Sequence, residues 1–149
     1  MNVVPHALQD AVLLVRLRQI IRDYNINVVV ETGIDQGWST IAFSGIADLV
    51  IGIDIDPAAI GAASRNLNDA RREKVLLILD NSPDALRKLK PILPFQTLYF
   101  LDAHWQAYWP LLDEIAEINR GSGVIVLHDI FVPDHPELGF DTYGGQRLD

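Results

Sequence analysis

The sequence contains no cysteine, which excludes disulfides and thiolate metal ligands and mildly favours a cytoplasmic protein. No apolar run approaches the ~18 residues of a membrane span, and the amino end lacks the layout of a signal peptide. Positive charge is also scarce, because 12 Lys and Arg stand against 20 Asp and Glu, a net charge of −8. Nucleic acid phosphates need a basic surface, so this balance argues against a nucleic acid substrate.

The chain of 149 residues fits one globular domain, with 49% hydrophobic and 21% charged residues. Short apolar, β-branched runs alternate with helical patterns along it. The runs cover residues 26–30, 49–53, 75–79, 97–101 and 124–127. This alternation with short connections predicts an α/β domain with right-handed crossovers, helices on both faces and a parallel sheet of strand order 3-2-1-4-5.

Two helices have clear amphipathic patterns. The first is predicted over Pro5–Tyr24, with one apolar stripe that would cover a face of the sheet: Leu13, Leu17, Ile20 and Tyr24. The second follows Pro110 and is predicted to end at Gly121 and Gly123. Its predicted inward residues are Leu111, Leu112, Ile115 and Ile118, and its predicted outward residues are Asp113, Glu114 and Glu117. A further helix is predicted to begin at Pro57, with Asp56 as its cap.

The stretch from Asn27 to Thr40 is the centre of the predicted site. Its apolar run ends in Glu31, and Gly33 and Gly37 follow before a helix begins. Glycines just past the carboxyl end of a strand let the backbone approach a ligand, and this first turn is where open parallel sheets bind nucleotide-like ligands. The spacing Glu-x-Gly-x-x-x-Gly differs from the dinucleotide fingerprint Gly-x-Gly-x-x-Gly. Glycines that serve only packing are the alternative interpretation.

Acidic residues surround this turn. Asp35 lies inside it, and the next two apolar runs end at Asp54, Asp56 and Asp80. A crevice rich in carboxylates repels a pyrophosphate but suits a ligand with a cation and a ribose diol. S-adenosylmethionine carries a sulfonium, an ammonium and a ribose, so it fits this pattern better than NAD does.

The segment Glu31-Thr-Gly33-Ile-Asp-Gln-Gly37-Trp-Ser39 resembles the first motif of class I S-adenosylmethionine-dependent methyltransferases. The nearest members are the metal-dependent small-molecule O-methyltransferases of the catechol and caffeoyl-CoA type. The resemblance implies a Rossmann-like, single methyltransferase-like domain over residues 1–149, with a covering helix (1–25), a cofactor-binding core (26–129) and a tail that forms a loop or lid (130–149). The antiparallel hairpin that ends the family's sheet is missing. The fifth strand would then be an exposed edge, so we expect that the tail covers it, that a partner chain pairs with it in a homodimer, or that the chain is a truncated piece of a longer protein, with truncation or pairing favoured.

The resemblance implies cofactor contacts from seven residues: Glu31, Gly33, Gly37, Ser39, Asp54, Asp80 and Asn81. Glu31 would support the amino-acid end of S-adenosylmethionine, and Asp54 would accept hydrogen bonds from both ribose hydroxyls. Asp80 and Asn81 would touch the adenine. The alternative for each acid is a solvated loop residue or a helix cap.

A second group of residues follows the fourth and fifth strands. Asp102 and Asp129 would end side by side, and two converging carboxylates need a cation or a shared proton. The family binds Mg²⁺ here through an aspartate after strand four and an Asp-Asn pair after strand five, but Ile130 occupies the asparagine position. His128, His104 or water would complete the shell, and an imidazole ligand favours Mn²⁺, Fe²⁺ or Zn²⁺ over Mg²⁺. Simple helix capping by the two aspartates is the alternative.

The catalytic base of the catechol-type enzymes is a lysine three residues after the first metal-binding aspartate, and Trp105 stands there instead. His104 is the best substitute, beside Asp102, with His128 behind it. Aromatic residues that would form a substrate wall are Trp105, Tyr108, Trp109, Phe131 and Tyr143, and His135 and Asp141 are further candidate contacts.

The predicted function is methyl transfer from S-adenosylmethionine to a hydroxyl of a small molecule, such as a sugar or polyketide, assisted by a divalent metal. The alternative is a non-catalytic methyltransferase-like binding or assembly domain, which the missing hairpin and lysine favour. An NAD-dependent oxidoreductase is disfavoured by the glycine spacing and by the lack of a Tyr-x-x-x-Lys pair.

Overall fold

The computed structural model describes residues 11–104, 108–118, 123–135, 139–140 and 142. Five parallel strands form one sheet in the order β3-β2-β1-β4-β5, which confirms the predicted architecture. The strands are β1 (Val28–Thr32), β2 (Leu49–Asp54), β3 (Val75–Leu79), β4 (Thr97–Leu101) and β5 (Val124–Leu127). The helices are α1 (Ala11–Asp23), α2 (Trp38–Ser44), α3 (Pro57–Asn66), α4 (Asp69–Arg72), α5 (Ser82–Leu89) and α6 (Leu111–Glu117). Within the described ranges, no helix is long and apolar enough to cross a membrane.

The central strand β1 is buried along its whole length and pairs with β2 on one side and β4 on the other. Thr32, its last residue, lies opposite Ile53 and Leu101. The three central strands therefore end at nearly the same level. In a parallel sheet this places the turns that follow them at one edge, where ligands bind.

Alternate residues of β1 face two separate layers of helices. Val28 and Val30 belong to a core cluster with residues of α5 and α6, including Leu86 and Leu111. Val29 belongs to the opposite cluster, which contains Leu17 and Ile21 of α1 and Phe43 of α2. The sheet is thus covered on both faces, as a run of consecutive apolar residues predicts.

The amino end of α3 confirms its predicted cap. Asp56 accepts a hydrogen bond from the backbone N–H of Ala58 at 2.8 Å, and Pro57 is the first helical residue. The short helix α4 was not predicted. The side chain of Asn68 caps it by accepting from the N–H of Arg71. The sequence contains this capping residue, but a helix of four residues is too short to show a periodic hydrophobic pattern.

The apolar stripe of α1 differs from the prediction at its carboxyl end. Leu17 and Ile21 are buried, whereas Tyr24 is 64% exposed. The helix ends at Asp23, and the chain reverses through Asn25, whose φ is 51°. Tyr24 therefore lies beyond the face that packs on the sheet. The predicted start at Pro5 lies outside the described residues.

The predicted faces of α6 are wrong at two positions. Leu112 is 66% exposed, and Glu114 is completely buried. The helix also ends at Glu117, before either predicted glycine stop, because Ile118 is already extended. Gly123 has a different role, since a Cβ there would lie 2.1 Å from the Thr97 carbonyl oxygen where β5 joins β4. Gly121 lies outside the described residues.

Candidate cofactor and cation site

Two adjoining cavities open at the carboxyl edge of the sheet. The larger, about 370 Å³, is lined by Gly33, Ile34, Asp35, Gln36, Trp38, Ser39, Asp54, Asp56, Ala59, Asp102, His104, His128 and Asp129. The smaller, about 80 Å³, is lined by Gly33, Asp54, Ile55, Asn81, Ser82, Ala103, His104, Tyr108 and Pro110. Residues that follow all five strands contribute to these walls, and five of the lining side chains are aspartates. The geometry therefore brings most of the predicted acids together around one opening.

The first turn is held by its glycines. Gly33 has a φ of 74°, and a Cβ there would lie 2.5 Å from the carbonyl oxygen of Asp102. Gly37 has a φ of 77°, and its Cβ would lie 2.7 Å from the Cβ of Ala63 on α3. Both residues thus need glycine for close packing as well as for the backbone conformation. Gly33 lines both cavities, whereas Gly37 lines neither of them and packs against Ala63 of α3.

Glu31 lies beneath the cavities and lines neither of them. Its side chain is fully buried, and its Oε2 accepts a hydrogen bond from the Thr40 hydroxyl at 2.6 Å, while Oε1 has no partner in hydrogen-bonding geometry among the described residues. Burial raises the pKa of Glu31 to about 7, and the hydroxyls of Ser39 and Thr40 oppose this rise. The group therefore changes charge near neutral pH, directly behind a ring of aspartates.

Asp54 lies at the junction of the two cavities. Its Oδ2 accepts from the N–H of Asp35 at 3.2 Å, and its Oδ1 accepts from the N–H of Asp56 at 2.9 Å. Each carboxylate oxygen can accept two hydrogen bonds, so one position remains on each. The backbone fixes the carboxylate in an orientation that leaves both oxygens able to accept from a diol.

Asp80 and Asn81 have different surroundings. Asp80 forms an ion pair with Lys88 at 2.5 Å, accepts from the N–H of Asn81, and lines neither cavity. The hydrogen bond from Lys88 lowers the pKa of Asp80. Asn81 lines the smaller cavity. Of this predicted pair, Asn81 lines a described cavity and Asp80 does not.

Asp102, His128 and Asp129 form a group whose ligand atoms all lie within 4.8 Å of one another. The Nδ1 atom of His128 is 2.9 Å from an oxygen of each aspartate. Within the part of the chain that the structure describes, Nδ1 nevertheless has no partner in hydrogen-bonding geometry. Asp102, followed by Asp129, raises the pKa of His128 to about 10, and His128 in turn lowers the pKa of Asp129.

Two converging carboxylates need a cation or a shared proton between them, and this geometry can meet that need in two ways. A protonated imidazole can act as the cation between them, or a divalent metal can replace that proton. The single N–H of Nδ1 cannot align with two oxygens at once, whereas a metal ion can be bound by all three atoms. Two carboxylate oxygens and one imidazole nitrogen are a donor set that suits Mn²⁺, Fe²⁺ or Zn²⁺, so these residues fit a cation.

The other predicted residues are more scattered. Ser39 lines the larger cavity, and His104 lines both. Tyr108 lines the smaller cavity, where its hydroxyl donates to Asp113, a contact that raises the pKa of Tyr108 to about 12. Other residues of the predicted aromatic wall and tail contacts line neither cavity: Trp109, Phe131 and His135. Those outside the described residues are Trp105, Tyr143 and Asp141.

Trp38 was given no role by the sequence analysis, although it stands within the glycine motif. It is 43% exposed and lines the larger cavity at the start of α2. An exposed indole beside a cavity can stack against a planar group of a ligand. The available signal was its position, one residue after Gly37 in the motif that forms the predicted turn.

No protein-family model matches the sequence. No curated protein sequence matches it either. Solved structures do resemble it. A proposed caffeoyl-CoA O-methyltransferase from Staphylococcus aureus is 21% identical with a TM-score of 0.67, covering 84% of this chain and 59% of that one. An O-methyltransferase from Bacillus cereus, in complex with SAH, is 19% identical with a TM-score of 0.60, covering 83% and 58%.

A third similar structure is an rRNA methylase from Streptococcus thermophilus, 18% identical with a TM-score of 0.59, covering 83% of this chain and 75% of that one. At such identities the likenesses show the fold, which is the Rossmann-like fold of class I methyltransferases that the sequence predicted. The chain spans about 59% of the length of the Staphylococcus aureus structure.

Proposed function

We propose that this protein is an S-adenosylmethionine-dependent methyltransferase that methylates a hydroxyl of a small molecule with the help of a divalent cation. The observation that carries the proposal is the pair of cavities at the carboxyl edge, with Asp54 fixed between them and an Asp-His-Asp group at the far wall. Methyltransferases with this fold, including O-methyltransferases, support the cofactor. The net charge of −8 favours a small molecule over RNA as the substrate.

The distribution of charge favours a cationic methyl donor. Asp35, Asp54, Asp56, Asp102 and Asp129 all face the larger cavity. Carboxylates at this density would repel a pyrophosphate and attract a sulfonium and an ammonium. The combined volume of about 370 Å³ and 80 Å³ also reaches the range of small-molecule sites.

In this proposal Asp54 accepts hydrogen bonds from the ribose hydroxyls through its two remaining acceptor positions. The smaller cavity takes the adenine between Ile55, Asn81 and Ala103. The larger cavity takes the methionine part and the substrate, and Trp38 forms one wall of it. Most of the rate gain then comes from alignment of the substrate oxygen with the methyl carbon.

The chemical step forms a bond between the substrate oxygen and the methyl carbon while the bond from that carbon to the sulfonium sulfur breaks. The sulfur keeps the electron pair, and the hydroxyl proton passes to a base. His104, which faces both cavities, is the proposed base. Asp102, His128 and Asp129 would hold the cation, which lowers the pKa of a hydroxyl bound to it.

Calorimetric titration with S-adenosylmethionine, S-adenosylhomocysteine and NAD tests the cofactor. We expect binding of the first two and none of NAD. Asp54→Ala should abolish that binding because the ribose loses both acceptors. Asp48→Ala is the matched control, since Asp48 is an exposed aspartate immediately before the first residue of the same strand, at the end of the strand away from Asp54. Binding of NAD in preference to S-adenosylmethionine would refute the proposal.

A non-catalytic binding or assembly domain is the second candidate. β5 is the last strand of the sheet among the described residues, and Ile125 on it is 40% exposed, so this is the edge that would pair with a second copy. A protein that binds none of the three ligands and sediments as a dimer would support this candidate. A monomer that binds S-adenosylmethionine would exclude it.

A further inference from the structure

β3 is an outer strand of the sheet in the described part of the chain, where β2 is its one neighbour. All its residues are aliphatic, and two of them are well exposed, Leu76 at 48% and Leu79 at 55%. Natural sheets usually protect an edge strand with a charged residue, a proline or a bulge. β3 has none of these, and its register with β2 is unbroken. Another strand can therefore pair with this edge.

The backbone of β3 presents alternate residues to the open side. The carbonyl oxygen of Lys74, just before the strand, accepts from an N–H of β2, and the N–H of Asp80, just after it, donates to a carbonyl of β2. Alternate residues of a strand bond the same neighbour, so the even-numbered residues between these two also face β2. The N–H and C=O groups of Val75, Leu77 and Leu79 therefore point away from the sheet.

Residues of opposite charge flank the strand. Lys74 precedes it and is exposed, and Asp80 follows it with 26% of its side chain exposed. If two copies pair antiparallel about Leu77, Lys74 of each copy lies opposite Asp80 of the other. Asp80 also binds Lys88 of its own chain, but a carboxylate has about four acceptor positions and can bind both ammonium groups. The charges of this segment are thus complementary to those of a second copy.

The same register covers both exposed leucines. Leu76 lies opposite Ile78 of the second copy on one face, and Leu79 lies opposite Val75 on the other. Leu77 lies opposite its own counterpart on the twofold axis. The outward peptide groups of both chains then meet, which allows about six main-chain hydrogen bonds. A slip of two residues would leave only about four of these bonds and would separate the opposite charges.

We propose that β3 pairs with β3 of a second copy of this chain, antiparallel and centred on Leu77, so that two five-stranded sheets join into one. β5, at the opposite edge, fits less well, because it has four residues and lies between Gly123 and His128. Antiparallel pairing there brings no opposite charges together. Dimerisation through β3 does not depend on the proposed function, since none of the pairing residues lines either cavity.

Sedimentation equilibrium of the full chain without ligand tests the pairing, and we expect a dimer that dissociates on dilution. Lys74→Glu should raise the dimer Kd at least about tenfold, because like charges then face each other at both ends of the paired strands. Asp80→Lys should do the same. An equal mixture of the two variants should dimerise again, since each supplies the charge that the other needs. Arg18→Glu, at an exposed position of α1, is the control for a reversed charge.

Three results of this experiment would overturn the pairing. The unmodified protein could sediment as a monomer at every concentration, or as larger oligomers, which a closed twofold contact does not form. A dimer that persists in Lys74→Glu but dissociates in Ile125→Lys would place the contact on β5. Circular dichroism checks that each variant is folded. Should Asp80→Lys fail to fold, Leu79→Lys replaces it, and an unchanged Kd in that variant would equally overturn the pairing.

The register has its own test, because the chain contains no cysteine and a single introduced thiol can crosslink only two copies. Leu77→Cys should form a disulfide-linked dimer on mild oxidation, since residues opposite each other on the axis have Cα atoms about 5.5 Å apart. Leu76→Cys should not, since its counterpart would lie about 8 Å away, beyond the reach of a disulfide. No crosslink in Leu77→Cys, or a faster one in Leu76→Cys, would overturn the proposed register.

Discussion

Glu31→Gln should make the stability of this protein much less dependent on pH. The pKa of Glu31 rises from 4.5 to about 7 on folding because the side chain is buried. One pKa unit corresponds to about 1.4 kcal/mol, so ionisation of Glu31 destabilises the folded state by about 3 kcal/mol once the pH exceeds 7. The folded state binds this proton more tightly than the unfolded state does. Stability is therefore lost as the pH rises from 4.5 towards 7, and glutamine removes that loss.

The measurement is the free energy of unfolding in urea, for both proteins, in the absence of ligands. At low pH, Glu31 is protonated in both the folded and the unfolded state, so the difference in free energy of unfolding between the variant and the unmodified protein has its baseline value there. At pH 8 this difference should be larger by about 3 kcal/mol in favour of the variant. At pH 5 it should be larger by less than about 1 kcal/mol. Glu73→Gln, at an exposed glutamate, controls for the loss of one negative charge. A difference between variant and unmodified protein that is the same at pH 5 and pH 8 would refute the reasoning.

Three further predictions concern the cation site and the first turn. Asp102→Asn combined with Asp129→Asn should abolish Mn²⁺ binding in a calorimetric titration; an unchanged isotherm would remove the cation from the proposal. Because His128 has a pKa of about 10 when no metal is bound, Mn²⁺ must displace a proton, and its affinity should rise about tenfold per pH unit from pH 6 to pH 8; a flat profile would mean that His128 is not a ligand. Gly37→Ala should lower stability by about 1–3 kcal/mol, because φ is positive and Ala63 blocks the added Cβ; thermal unfolding at the unmodified midpoint would contradict this.

Four of the five strands were predicted to within one residue because each is an apolar run with clear limits, whereas β1 begins and ends two residues later than its predicted run of 26–30. β4, for example, begins at Thr97 and ends at Leu101, directly before Asp102. The strand order then placed Asp102 and Asp129 side by side, and the structure brings them together around His128. Strand limits and strand order follow from two properties that can be read along the sequence: the hydropathy of each run and the order in which the runs are connected.

Features that depend on long-range contacts were not predictable in the same way. The ion pair that occupies Asp80 requires Lys88 to extend back along α5. Glu114 was assigned to the solvent face because charged residues are rarely buried without a partner, and its burial depends on the packing of α6 against other elements, α5 among them. Leu112, two residues earlier on α6, lies on the exposed face of the same helix.

The contact between the Gly33 turn and the backbone at Asp102–Ala103 has a thermodynamic consequence. Gly33 has no room for a side chain against these residues, and the preceding Thr32 accepts the Asp102 N–H. The loop that would hold the methyl donor and the loop that would hold the cation are therefore in direct main-chain contact, so we expect a shift of one to displace the other. Occupancy of either place should change affinity at the other, and by linkage the two changes must be equal in size and sign.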